Sequence, residues 1–178
     1  IGQNRRQPSG QHDFAGARRA DHQEIVRACR GDLQRPERQL LAFDFGKKRI
    51  GVAIGNTAVG VAHPLATVDS EVTERRFALI GQLIQTWQPV LLVVGLPLHS
   101  DGTVHELTQL SQRFARRLSG RFNIQVIMKD ERYTSETASA TLREAGITGR
   151  KQKAVLDQVA AQQILQSFFD EQYAITRR

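Results

Sequence analysis

The stretch Leu40–Gly55, LLAFDFGKKRIGVAIG, constrains this chain more than any other. Leu40–Gly46 and Ile50–Ile54 both read as strands, and the Gly-Lys-Lys-Arg segment between them is a tight polar connection. A β-hairpin follows, and it carries an acid. Asp44 stands among Leu, Ala and Phe, where an ionised carboxylate is costly unless a cation meets it. Such an acid either pairs with an arginine for structural reasons or belongs to a site, and the hairpin alone does not choose between these readings.

The chain has 178 residues, enough for one domain with a real core and some excess. With 25 Lys and Arg against 18 Asp and Glu, the net charge is +7, which favours a polyanionic partner, nucleic acid first, over a merely soluble surface. The lone cysteine, Cys29, excludes an intramolecular disulfide and a thiolate metal cluster, and it suits a reducing compartment. The longest apolar run, Pro89–Leu98, is too short to span a bilayer, and no signal-peptide pattern is visible. The expected location is cytoplasmic, with no membrane partner.

Residues 1–38 are dominated by Arg, Gln and small polar residues and read as a disordered basic extension, with a short helix at most over Glu24–Cys29. Order begins at residue 39, and 39–178 reads as a single domain. After the hairpin, Val59–Val68 is a third strand, and Pro64 within it implies an edge position or a bulge. Val72–Trp87 has helical spacing through Phe77, Ile80, Leu83, Ile84 and Trp87. Pro89–Gly95 is a continuous apolar run, the form of a central parallel strand covered on both faces.

A second amphipathic helix is predicted over Val104–Leu118 and closed by Gly120, followed by a fifth strand over Ile124–Lys129. Thr134 is placed to cap a helix running to Gly146, and a loop over Gly146–Lys153 leads into a last helix at about 154–173. The order βββαβαβαα indicates an α/β fold, a mixed five-stranded sheet with helices on both faces.

In the last helix Asp157 heads a stripe of Ala160, Ala161, Ile164, Leu165 and Phe168, so it faces the sheet. Asp44 comes from the first strand, and Glu131 or Asp130 from the end of the fifth, where ligands gather in parallel sheets. Carboxylates converging on one edge repel unless a cation neutralises them, and hard oxygen ligands select Mg²⁺ or Mn²⁺ over zinc.

Four segments carry a resemblance: FDFGKKRIGVAIG, VVGLPLHSDGT, DERYTS, and the helix with Asp157-Gln-Val-Ala-Ala. In that order they resemble the YqgF/RuvX family, Holliday-junction resolvases also implicated in pre-16S rRNA processing. The resemblance covers residue 39 onward. It implies an RNase H-like fold and a metal-dependent nuclease, with Asp44, Glu131 and Asp157 as metal ligands and catalytic acids. Glu131 is preferred to Asp130 for its longer reach. Arg132, Lys151 and Lys153 lie beside these acids in sequence and would hold substrate phosphates. The partners implied are precursor rRNA, with branched DNA as the alternative, and a pre-ribosomal particle.

Two departures matter. RuvC-like resolvases resemble this pattern but carry an acid at the end of the fourth strand, where this chain has Val94-Gly95-Leu96-Pro97, and a second acid one turn along the last helix, where it has Ala160. Both departures favour RNA over junction DNA. The hairpin also resembles the phosphate loop of actin-like ATPases, but a second half and an adenosine motif are lacking. A non-catalytic RNA-binding module is the reading from another class. Deleting residues 1–38 should leave the thermal unfolding transition within about 2 °C of the full chain, since little there can be buried. A large fall by differential scanning calorimetry would contradict the boundary.

Overall fold

The computed structural model describes residues 38–98, 106–130 and 150–176, with the backbone alone at 150–152, 175 and 176. Five strands form one sheet: β1 Gln39–Phe45, β2 Arg49–Asn56, β3 Ala62–Asp69, β4 Leu91–Leu96 and β5 Gln125–Asp130. Their order across the sheet is β3-β2-β1-β4-β5. The first three pair antiparallel, and β4 and β5 join parallel to β1 and β4 in turn, so the sheet is mixed, as the order of elements in the sequence indicates. Pro64 lies in edge strand β3 opposite a register shift between Val52 and Ala53, the bulge its missing N–H demands.

Helices α1, Thr73–Trp87, and α2, Glu106–Phe122, cover one face of the sheet, and α3, Arg150–Thr176, covers the other. Strand alternation assigns the side chains. Leu41, Phe43, Ile50, Val52, Ile54, Leu92 and Val94 share a core with Phe77 and Ile80 of α1 and Phe114 and Leu118 of α2. The residues between them in each strand face α3. On that side, beyond Arg49 at its start, β2 presents only Gly51, Ala53 and Gly55. These three small residues let α3 lie almost against the backbone of β2.

Gly51 is the closest point. A Cβ built there would overlap the backbone carbonyl of Asp157, and one at Gly55 would press into the Phe169 ring. The apolar stripe of α3, Ala161, Ile164, Leu165, Phe168 and Phe169, is buried against the sheet. Its polar flank is also used. The side chain of Gln162 donates to the Ala62 carbonyl at 2.8 Å, and Ala62 N–H donates to Gln166 Oε1 at 3.0 Å. Gln158 Nε2 donates to Thr67 Oγ1 at 3.1 Å. Glutamines spaced four apart thus tie α3 to edge strand β3, which would otherwise offer unpaired backbone groups.

Several boundaries differ from the sequence reading. Helix α2 does not stop at Gly120 but runs to Phe122, because the Phe122 ring packs 6.4 Å from Phe77, and Asn123 at φ 53 makes the left-handed exit instead. Helix α3 begins at Arg150, so Lys151 and Lys153 belong to its first turns and not to a loop. Trp87, expected in the apolar stripe of α1, is 37% exposed at the helix end, where Gln88 turns left-handed at φ 47. The helix expected over 134–146 lies outside the described residues, as do residues 1–37.

Gly51→Ala is expected to lower stability by about 3 kcal/mol, near the upper end for overpacking, because both clashing groups are backbone and α3 must lift. Gly120→Ala, with open space around its Cβ, should be neutral or stabilising. Urea unfolding of the two variants decides; equal stabilities would contradict the close approach at Gly51.

Candidate metal and phosphodiester site

Asp44 is paired across the hairpin with Gly51. Directly opposed residues in an antiparallel pair point to the same face, so the Asp44 side chain rises beside the backbone that Gly51 leaves bare. Asp157 sits on that bare backbone. The strand and the helix therefore deliver two carboxylates to one place, at the end of β1 where β4 also ends.

Their electrostatics follow. Burial, with the negative charge of Asp157 adding to it, pushes the Asp44 carboxyl up from 3.8 to about 6. Arg49, at the start of β2, donates from Nε to Oδ2 of Asp157 at 2.6 Å, both side chains being about a quarter exposed. That bond holds the Arg49 guanidinium above its ordinary pKa. Oδ1 of Asp157 has no partner among the described residues. A half-neutralised carboxylate thus stands beside a second one whose charged form the site disfavours.

Asp130 is placed differently. Val126 and Met128 pack into the α1–α2 core, whereas Lys129 reaches across the other face to Glu171 of α3 at 2.6 Å. Asp130 shares the parity of Val126 and Met128, so alternation turns it from the Asp44 and Asp157 face. Glu131 and Arg132 lie outside the described residues, as does the Lys151 side chain. Lys153 is exposed one turn upstream of Asp157 on the same side of α3. Among the described residues no three His, Cys, Asp or Glu groups gather as a metal cluster. Two carboxylates with hard oxygens still fit an ion such as Mg²⁺, which takes one or two and completes its shell with water and substrate phosphate.

The sequence reading missed Arg49 as the partner of Asp157 and Gly51 as the reason for their meeting. Both signals stand in RIGVAIG, as a cation opening a strand whose next alternate positions are all Gly or Ala.

A family model described as "RuvX: Holliday junction resolvase" matches residues 38–171. This chain belongs to the RuvX family. A Nitrosomonas eutropha relative named "Putative pre-16S rRNA nuclease" is 63% identical over 135 residues, which are 76% of this chain and 86% of that protein. A Methylobacillus flagellatus relative of the same name is 62% identical over 131 residues, 74% of this chain and 90% of its own. Among solved structures, Thermus thermophilus RuvC aligns at 11% identity with a TM-score of 0.48, covering 76% of this chain and 96% of that one. The RuvX match spans the sheet and most of the three described helices. Among the described residues no helix is long and apolar enough to cross a membrane.

The raised pKa of Asp44 fixes a pH dependence for this RuvX protein without metal. A carboxyl whose folded pKa lies above its unfolded value favours folding fully only below about 4 and loses that contribution as pH rises through about 6. Asp44→Asn should therefore be more stable than wild type at pH 8 in EDTA, by about 3 kcal/mol for a shift of this size, with the difference vanishing near pH 4. Thermal melts of the pair across that range test it; a difference independent of pH would contradict the burial of the charge.

Proposed function

We propose that this protein is a divalent-metal-dependent nuclease that hydrolyses phosphodiester bonds in structured RNA, acting at the 5′ end of precursor 16S rRNA within a pre-ribosomal particle. The observation that carries the proposal is the juxtaposition of Asp44 and Asp157 through Gly51. Two acids forced together, one with its pKa raised and the other leaning on an arginine, form a place prepared for a cation. Membership of RuvX and the names of the relatives supply the nucleic-acid chemistry.

Asp44 and Asp157 would hold Mg²⁺ or Mn²⁺, with Glu131 proposed as the third ligand now that alternation turns Asp130 away. Bound there, the metal would activate water and stabilise the leaving oxygen. The protein's own residues orient the reaction. Burial keeps Asp44 from being shielded by bulk water, and Arg49 fixes the direction of the Asp157 carboxylate. Lys153, with Lys151 and Arg132, would meet the phosphates on either side of the cut. No protein nucleophile is required.

Junction DNA is the second substrate to be weighed, because the family model is described as a resolvase. Against it stands the end of β4, Gly95-Leu96-Pro97, which brings no carboxylate to the site. Purified protein incubated with 5′-extended 16S precursor and with a four-way DNA, each with and without Mg²⁺ or Mn²⁺, should cut the RNA in the presence of metal. Asp157→Asn should reduce cutting at least a hundredfold and change stability by no more than about 1 kcal/mol, the scale of a partly exposed ion pair. Cutting of the junction alone would transfer the proposal to DNA. Cutting of neither, with equal binding by wild type and Asp44→Asn, would leave a binding module.

A further inference from the structure

On the face of the sheet opposite Asp44, α1 and α2 leave a groove between them. Its floor is aromatic: the Phe114 ring lies 5.0 Å from Phe45 and 5.9 Å from Phe77. Its walls are arginines. Arg76, Arg113 and Arg117 surround a hollow of about 160 Å³, and a second of about 340 Å³ shares Thr73, Phe77 and Arg117 with it. Phe45 is the residue after Asp44, so the groove begins where β1 ends.

The charges in this groove are unevenly matched. Arg121 at its far end is already met by Glu74 at 2.8 Å and lies 4.8 Å over the Phe77 ring. Arg76 is nearly buried and donates to the carbonyls of Ser70 and Lys47, with its guanidinium 5.8 Å over Phe45. Carbonyl oxygens leave its charge in place; among the described residues Glu71 is the carboxylate that acts on it. Arg113 and Arg117 are exposed and pair with no carboxylate among the described residues. Being four apart on α2, they stand about 5–6 Å apart at Cβ, close enough for successive phosphates of one strand to be met in turn.

We infer that this groove holds the phosphate backbone of a nucleic-acid strand outside the carboxylate site, with Arg113 and Arg117 as its contacts and Arg76 as a fixed charge beneath them. The inference rests on the nucleic-acid reading above, but it concerns binding and not cutting. An acidic protein segment would meet the same cations, yet the +7 net charge and the RuvX match favour a nucleic acid.

The test is fluorescence anisotropy of the full chain with a labelled single-stranded RNA in EDTA, where no cleavage intervenes. Arg113→Gln/Arg117→Gln is compared with Arg75→Gln/Arg116→Gln, which removes the same charge at exposed positions outside the groove, one on α1 and one on α2. The groove pair should weaken binding at least tenfold and flatten the dependence of log K on log salt by about 1.4, the loss of two single-strand phosphate contacts. The control pair should cost less than threefold. Arg113→Lys/Arg117→Lys, which keeps the charge, should recover most of the salt slope, and that recovery excludes misfolding as the cause. Equal weakening by both Gln pairs would mean a general field and overturn the groove, as would an unchanged affinity or a wild type that does not bind RNA. If wild-type protein binds through the groove but cuts nothing, the nuclease proposal fails and the groove stands.

Discussion

The arrangement depends on the contact between the Gly51 backbone and the Asp157 carbonyl. A side chain at position 51 would hold α3 off the sheet, and the helical acid would then stand a full side-chain layer from the strand acid. The hairpin supports this contact by dividing β2 in two: Ile50, Val52 and Ile54 fill the core under α1 and α2, while Gly51, Ala53 and Gly55 clear the way for α3. The same division explains why the glutamines of α3 lie close enough to bond the backbone of β3.

What the contact creates is an unresolved electrostatic balance. Asp44 is pushed up to about 6 by burial and by its neighbour's charge, and Asp157 gives one oxygen, Oδ2, to Arg49. An arginine in this position holds the helix acid in place, and because the bond engages a single oxygen it would leave the other for the ion that the proposed function requires. The basic residues, Lys153 on one face and the arginines of the α1–α2 groove on the other, then surround a small negative centre with positive ground suited to phosphates. On the proposed function, the burial of the strand acid and the exposure of the arginines would divide the labour between reacting with a polyanion and holding it.

Much of this fold is legible in the residues themselves. Continuous apolar runs mark β1 and β4, Pro64 marks the bulged edge, and the spacing from Asp157 to Phe168 points that acid inward. Partner choice is less visible. Arg49 reads as one of three basic turn residues, and only the fold shows that its guanidinium reaches over a hundred residues along the chain to Asp157. Gly120 carries the sequence signature of a helix end, but the packing of Phe122 on Phe77 outweighs a local preference worth about 1 kcal/mol. Arg76, which no sequence pattern singles out, is nearly buried, because the carbonyls at Ser70 and Lys47 gather there once the chain has turned. The preference for Glu131 over Asp130 rests in the sequence on side-chain reach, and Glu131 lies outside the described residues.

The claim that Asp44 and Asp157 form one cation site is tested most directly by anomalous diffraction from crystals soaked in Mn²⁺. A manganese peak bridging the two carboxylates, absent from Asp157→Asn crystals soaked alike, is the predicted result. No peak there, with Arg49 still the sole partner of Asp157 and Asp44 protonated beside it, would contradict the account.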